Sequence, residues 1–143
     1  MRDLLMLMRA IDVAWNERRW DDYGDLLSDE LVAFSSSETL PHGKPHHIAK
    51  AKIFCATFPD TKVQTDPYCE LFTSGEKTCS VARIAGTAPP NLILPNGEIL
   101  TGPGRAFDLT FAAICTWRGG RIIDQHEYID TELMLCQLRG ASQ

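Results

Sequence analysis

The stretch Gly119-Gly120-Arg121-Ile122-Ile123-Asp124-Gln125-His126-Glu127-Tyr128-Ile129-Asp130 combines a tight glycine turn with one long strand near the end of the chain. Side chains of a strand alternate between its two faces. One face of this strand is therefore expected to carry Ile122, Asp124, His126, Tyr128 and Asp130. Burying a charge without a partner is costly, so the sequence predicts that this polar face is either solvated or lines a polar pocket.

The composition is that of a globular protein with one hydrophobic core. The chain has 143 residues, of which 44% are hydrophobic, and its formal net charge is -5. A chain of this length can form one domain, which we expect to span residues 1–143. The acidic balance and the lack of a basic run argue against nucleic-acid binding. The apolar run 4–8 is too short to span a membrane, so we expect no membrane association.

The cysteine pattern favours a reducing compartment. The chain has five widely spaced cysteines and no Cys-x-x-Cys pair. An odd number without metal-ligand spacing is typical of reduced, mostly buried thiols. The sequence therefore predicts a cytoplasmic protein with neither a disulfide framework nor a cysteine zinc site.

The order of the elements predicts the fold class. Helical patterns cover residues 3–19, 20–27 and 46–57, with a short strand at 31–34 between the second and third. Extended patterns joined by turns then cover residues 62–72, 78–87 and 105–117, before the closing strand and a last helix over 132–138. Helices followed by hairpin-linked strands indicate an α+β fold with the helices on one face of a curved antiparallel sheet.

The first helix has a clear apolar stripe. Spacings of four, three and four place Leu4, Met8, Ile11 and Trp15 on one side. The polar residues Arg9, Asp12, Asn16 and Arg19 are assigned to the solvent side on the same pattern.

Several short motifs occur in a familiar order along the chain. They are Ala14-Trp15-Asn16, Phe58-Pro59-Asp60 after the third helix, Gly86-Thr87 at a strand end, Thr101-Gly102, and Gly120-Arg121-Ile122 before the closing strand. In their order and spacing the chain resembles the SnoaL-like polyketide cyclase branch of the nuclear-transport-factor-2-like (NTF2-like, cystatin-like) superfamily. The resemblance implies a cone-shaped sheet around a pocket, with N-terminal helices closing one side.

The resemblance also implies a chemistry. Members include cyclases that perform an intramolecular aldol reaction without metal or cofactor, using an acidic residue of the pocket as general acid and base. The residues that match the closing-strand motif are Asp124 and Asp130, and one sequence leaves the choice between them open. The chain departs from the family pattern at Ala88, where histidine is common, and at His126, where tryptophan is common.

Each residue of the closing strand has a functional and a structural interpretation. Asp124 is the first candidate for the general base, since an apolar cavity raises the pKa of a carboxyl group; alternatively it pairs with Arg83 or Arg105. His126 is a candidate acid, base or oxyanion donor, or a hydrogen-bonded core histidine. Tyr128 could donate to a substrate carbonyl or simply pack. Asp130 is a catalytic candidate, although N-capping of the last helix explains an aspartate at this position without any catalytic role and is the preferred interpretation.

Residues outside the closing strand complete the predicted site. Trp15 is expected to shape a flat substrate site from the first helix, and Arg83 is a candidate substrate contact or a partner of Asp124. His46 could face the pocket mouth. Because His46 and His47 are adjacent, they do not share a helix face, so a two-histidine metal site is not expected there.

Three functions remain open at this point. The first is a cofactor-free cyclase or isomerase acting on a small hydrophobic substrate, and the second is hydrolysis of an epoxide-type substrate by activated water. The third is a non-catalytic ligand-binding or dimerising scaffold, whose pocket would be filled by Phe107, Phe111 or Trp117. The apolar row of the strand 105–117 also predicts a homodimer, since three short helices cannot cover both faces of the sheet.

Overall fold

The computed structural model describes residues 3–94, 96–101 and 105–140. Its four helices are α1 (Leu4–Asn16), α2 (Trp20–Asp25), α3 (Lys44–Thr57) and α4 (Thr131–Leu138). Its strands are β1 (Leu27–Ser35), β2 (Lys62–Val63), β3 (Glu70–Ser74), β4 (Lys77–Thr87), β5 (Leu92–Ile93), β6 (Ile99–Leu100), β7 (Ala106–Arg118) and β8 (Arg121–Ile129). Gly102, part of the Thr101-Gly102 motif, lies outside the described residues.

The main sheet confirms the predicted fold class. Its strand order is β1-β8-β7-β4-β2, with β3 also paired to β4, and it is curved and open. Strands joined by hairpins are antiparallel, as predicted. Strand β1 lies parallel to β8, and these two neighbours are not joined by a hairpin, because all the other strands of the sheet lie between them in the chain. Helices α1 and α3 lie over the inner face, so this face and the helices enclose the interior of the protein.

A β-bulge in β8 decides which of its side chains point inward. Thr116 of β7 pairs with Asp124, whereas the next residue, Trp117, pairs with Ile122. Ile123 is therefore an extra residue, and such an insertion reverses the alternation beyond it. Ile122 is buried before the bulge and Gln125 is buried after it. The prediction that Ile122 and Asp124 share a face is wrong for this reason.

Two hydrophobic clusters fill the interior, and the inner face of β7 contributes to both, as its period-two pattern predicts. One cluster surrounds Trp117, whose Nε1 donates a hydrogen bond to Thr78 Oγ1 at 2.9 Å. The other surrounds Phe107, which packs edge-on against Phe54 and Phe58. The cavity described below lies between these two clusters.

Gly86 of β4 is placed where no side chain fits. A Cβ atom added there would lie 2.8 Å from Phe107 Cε2 and 3.2 Å from Thr61 Cβ. Since both neighbours are buried, Gly86→Ala is expected to lower the free energy of unfolding by about 1–3 kcal/mol, measured by urea denaturation. Gly43→Ala is the comparison: its Cβ would meet only ordinary contacts, the nearest at 3.7 Å, and its loss is limited to the cost of alanine at the N-cap of α3, about 1 kcal/mol at most. An equal loss in both variants would contradict the steric explanation.

Candidate functional site

A cavity of about 300 Å³ lies between the inner face of the sheet and helices α1 and α3. Its walls are mainly apolar, from residues such as Ile11, Trp15, Phe54 and Phe111. Its polar groups are few: Asp12, Tyr23, His47, Lys50, Thr57, Gln125 and Glu127. An apolar pocket with a few convergent polar groups is typical of a small-molecule site.

Asp12 reaches the cavity from α1. It lies four residues after Met8 and three before Trp15, so it shares the inward side of the helix with both. Its Oδ2 accepts a hydrogen bond from the Tyr68 hydroxyl at 2.7 Å. Burial raises the pKa of Asp12 to about 7, and the nearby Glu127 carboxylate adds to the rise while the Tyr68 hydrogen bond opposes it. Asp12 can therefore both accept and release a proton near neutral pH.

Glu127 reaches the same cavity from β8. It follows Gln125 on the inward face that the bulge creates. Burial raises the pKa of Glu127, and the ammonium group of Lys50 partly offsets that rise. The cavity therefore holds two carboxyl groups on opposite walls, and burial favours the protonated form of each.

A neutral imidazole completes the polar part of the wall. The ring of His47 stacks on Tyr23 with 6.2 Å between centroids, and its Nδ1 lies 2.8 Å from Nε2 of His42. The pKa of His47 is lowered to about 4, mainly by burial and to a smaller extent by the neighbouring His42. His47 is therefore uncharged at neutral pH and can take part in hydrogen bonds with a ligand.

The three predicted residues at the centre of β8 lie outside this cavity. Asp124, His126 and Tyr128 face the outer side of the sheet, where Tyr128 is 52% exposed. His126 Nε2 lies 3.2 Å from Asp124 Oδ1, and the His126 ring stacks on Phe34 with 4.6 Å between centroids. The expectation that Asp124 points into the pocket is wrong, because the bulge at Ile123 turns it outward.

The other residues predicted for the site lie in three different places. Trp15 lines the cavity, as expected. Asp130 caps α4, with its Oδ1 accepting a hydrogen bond from the Leu133 amide at 2.9 Å. His46 is exposed, with its Nε2 3.0 Å from Glu38 Oε2.

Arg83 belongs to the outer surface. Its guanidinium group forms an exposed salt bridge with Asp108 of β7. The alternative in which Arg83 pairs with Asp124 is excluded, since the two side chains lie on different rows of the sheet: Thr110 of β7 lies opposite Arg83, whereas Thr116 of β7 lies opposite Asp124.

Sequence reasoning missed Asp12, Glu127 and His47. The signal for Asp12 was present, since spacings of four and three join it to Met8 and Trp15 on the helix stripe. For Glu127 the sequence gives no comparable signal, because Gln125 is polar and only the structure shows that it is buried. Strict alternation along β8 was therefore the simplest pattern to assume. For His47, only the tertiary structure shows that it rather than His46 faces inward.

Comparison with known proteins agrees with this architecture. Among solved structures, the chain is similar to IdmH from Streptomyces antibioticus, described as a candidate polyketide cyclase, with 18% identity, a TM-score of 0.77 and coverage of 92% of this chain and 95% of that one. It is similar to AclR from Streptomyces galilaeus, described as a candidate hydroxylase, with 13% identity, a TM-score of 0.76 and coverage of 96% of this chain and 82% of that one. It is also similar to an NTF2-like protein of unknown function from Burkholderia pseudomallei, with 17% identity, a TM-score of 0.73 and coverage of 96% of this chain and 98% of that one.

These likenesses define the class as an NTF2-like α+β fold, and at such low identity they define the fold alone. The sequence matches the SnoaL-like polyketide cyclase family over residues 5–138. The chain therefore belongs to that family, as its motifs suggested. No curated protein matches it. Among the described residues, none of the helices has the length and apolar character needed to cross a membrane.

Proposed function

We propose that this protein is a cofactor-free acid–base enzyme of the polyketide cyclase type, acting on a small hydrophobic carbonyl compound. The observation that carries the proposal is Asp12, a carboxyl group with a pKa near neutrality that faces an apolar cavity of about 300 Å³. A general base is most effective when its pKa lies near the working pH. Cavities of this size and character accommodate small organic ligands.

The arrangement supports an enolisation mechanism. The Asp12 carboxylate would remove a proton from the carbon next to a substrate carbonyl, and the resulting enolate carbon would attack a second carbonyl of the same molecule. Glu127, whose protonated form is favoured by burial, would donate a hydrogen bond to the enolate oxygen. Asp12 would then return its proton to the new alkoxide, so the cycle ends with both carboxyl groups as they began.

The hydrogen bond from Tyr68 suits the proposed role of Asp12. It fixes one carboxylate oxygen, Oδ2, and leaves Oδ1 for the substrate proton. It also moderates the effect of burial on the pKa of Asp12. The flat ring of Trp15 and the rings of Phe54 and Phe111 would hold a planar substrate against these groups.

The other two functions have less support. The scaffold hypothesis expected Phe107, Phe111 or Trp117 to fill the pocket, but Phe107 and Trp117 are packed in the two hydrophobic clusters and the cavity stays open. The cyclase and hydrolytic hypotheses both used Asp124 as the base, and Asp124 lies on the outer side of the sheet. Asp12 can act as the base in either reaction, and the match to the polyketide cyclase family supports the first.

Proton exchange tests the proposal without knowledge of the natural substrate. Aromatic β-keto esters are incubated with the protein in D₂O, and loss of the α-proton signal is followed by NMR. The protein is expected to accelerate exchange for those esters that bind in the cavity. Binding of several such esters, shown by titration, with exchange no faster than in buffer would contradict the proposed function.

We also propose that the outer side of the sheet forms a homodimer. A row of residues crosses five strands there, in the order Phe34, His126, Ile114, Cys79 and Phe72, each paired with the next. The large members are accessible, with Phe34 38%, Ile114 37% and Phe72 52% exposed. The neighbouring rows carry charges of both signs, Asp124 and Lys77 on one side and Glu70 on the other, which suits a twofold interface in which a patch meets its own copy.

The dimer can be tested at the centre of the row. Ile114→Glu is expected to convert a dimer into a monomer in sedimentation velocity at about 10 µM, because each copy would bury an unpaired carboxylate. Ile99→Glu is the matched control: Ile99 is 55% exposed on β6, away from the main sheet. A wild-type protein that sediments only as a monomer would refute the dimer.

A further inference from the structure

Three side chains with metal-ligating atoms meet on the far side of His47 from the cavity. Glu38 and His42 lie in the loop after β1, and His46 lies in the first turn of α3. They are spaced four residues apart along the chain, and their ligand atoms all lie within 4.8 Å of one another. His42 Nδ1 lies 3.2 Å from Glu38 Oε1, and His46 Nε2 lies 3.0 Å from Glu38 Oε2.

His42 is the unusual member of this cluster. Its side chain is only 7% exposed. Within the described part of the chain, its Nδ1 is a buried side-chain atom without a hydrogen-bond partner, although a carboxylate oxygen lies close by. Its other nitrogen, Nε2, is engaged at 2.8 Å with His47 Nδ1. A buried polar atom without a partner costs free energy, so this atom requires an explanation.

The hydrogen bond to His47 supplies one. When His42 Nε2 donates its proton to His47 Nδ1, His42 Nδ1 carries a bare lone pair that faces the Glu38 carboxylate. A cation placed between the two would satisfy both groups. A metal-bound histidine usually donates its second N–H in this manner, which fixes the ring orientation.

We propose that Glu38, His42 and His46 form a binding site for a divalent transition-metal ion of the Zn²⁺ type. Two imidazole nitrogens and one carboxylate oxygen, with water in the fourth position, form an established ligand set for zinc. Bonds of about 2.0–2.1 Å in a tetrahedron place ligand atoms about 3.3–3.4 Å apart. The two imidazole nitrogens lie 3.2 and 3.0 Å from different oxygens of Glu38, and one ligand atom from each of the three residues lies within 4.8 Å of the other two, so small side-chain rotations would bring them to this spacing.

The side chain of Lys50 competes for the same carboxylate. Its Nζ lies 3.0 Å from Glu38 Oε1, where it supplies the positive charge that the ion would bring. Binding of the ion therefore displaces this ammonium group. Lys50 also lines the cavity, so occupancy of the metal site changes the charge available to a ligand there.

The site differs from the one considered from sequence alone. The sequence analysis considered only the adjacent His46 and His47, whereas in the structure it is His42, four residues before His46, that offers the second imidazole. His47 instead contacts the other nitrogen of His42, with its Nδ1 2.8 Å from His42 Nε2. The ion would tie the loop after β1 to the start of α3, and this inference does not depend on the proposed acid–base chemistry.

Metal titration tests the site directly. Protein freed of metal with EDTA is titrated with ZnCl₂ in competition with a chromophoric chelator. We expect one Zn²⁺ per chain, and at least a tenfold weaker affinity for His42→Gln, His46→Gln and Glu38→Gln. Lys50→Met is expected to bind Zn²⁺ more tightly than the wild type, because the competing cation is gone. Co²⁺ in place of Zn²⁺ is expected to give the visible absorption of a tetrahedral site.

The fourth histidine of the chain is the matched control. His126 lies on the outer side of the sheet beside Asp124, and His126→Gln is expected to leave the affinity unchanged. Because His46 is exposed, with 57% of its side chain accessible, His46→Gln should keep the fold even if His42→Gln does not. Binding that is absent in the wild type, or unchanged in His46→Gln, would overturn the proposal.

Discussion

Asp12→Asn is expected to reduce the rate of α-proton exchange in a bound β-keto ester by about 10²–10⁴-fold, the usual contribution of a general base. The amide keeps an oxygen to accept the Tyr68 hydrogen bond and preserves the volume of the side chain, so the cavity keeps its shape. It removes only the proton acceptor. The expected result is a loss of exchange rate with nearly unchanged ester affinity, measured by NMR and by titration.

Asp124→Asn is the control for that experiment. It makes the same chemical change on the outer side of the sheet, where Asp124 contacts His126, and is expected to leave the exchange rate within a factor of two or so of the wild type. Glu127→Gln is expected to give an intermediate loss, since the amide can still donate to an enolate oxygen. A greater loss in Asp124→Asn than in Asp12→Asn would return the catalytic role to the residue first predicted from sequence.

The second large effect concerns stability against pH. The folded state raises the pKa of Asp12 from 3.8 to about 7, so between these values it binds a proton that the unfolded chain has released. The contribution of Asp12 to stability is therefore undiminished below about pH 4 and falls as the pH rises to about 7. At about 1.4 kcal/mol per pH unit, the total loss is about 4 kcal/mol.

Comparison of Asp12→Asn with the wild type isolates this effect. The variant carries no titrating group at position 12, so its stability relative to the wild type should increase by up to about 4 kcal/mol between pH 4 and pH 7.5, measured by urea denaturation at both values. The difference is the right quantity, because His47, with its lowered pKa, changes stability in the opposite direction over part of the range. A difference that stays constant with pH would contradict the raised pKa.

Several charged and titratable groups contribute to the environment of Asp12. Arg9 lies on the same helix, and the groups facing it from packed elements are Tyr68, Tyr23, His47, Lys50 and Glu127. Glu127 also has a raised pKa, so it adds to the loss of wild-type stability as the pH rises. The variant that loses activity is therefore expected to be the more stable protein at neutral pH, a common relationship at active sites.

The sequence was informative wherever a periodic pattern ran without interruption. The stripe of α1 identified Ile11 and Trp15 as inward residues, and the alternation along β7 placed Phe107 and Trp117 on one apolar face, which the structure shows to be the inner one. The order of helices and hairpins predicted the α+β class. The site was harder to predict, because it depends on β8. The position of a bulge follows from how β8 pairs with β7, and that pairing involves residues far apart in the chain.

The other difference between the sequence-based prediction and the structure concerns the polar residue Asp12. The stripe of α1 was defined by apolar residues alone, which left Asp12 on the solvent side, although its spacing from Met8 and Trp15 favours the buried side of the helix. Burial of such a residue is unfavourable for folding, so hydrophobic patterning is biased against the groups that a catalytic pocket requires. Its proximity to Tyr68, 56 residues later, becomes evident only in the folded protein.

The bulge at Ile123 has a consequence at the level of the gene. Loss of that single codon would remove the extra residue without changing the partners of its neighbours, since Ile122 already lies opposite Trp117 and Asp124 opposite Thr116. Gln125 and Glu127 would therefore still face the cavity, and Asp124, His126 and Tyr128 would still face outward. The bulge is thus a position at which the gene could shorten by three nucleotides while the pocket keeps its lining.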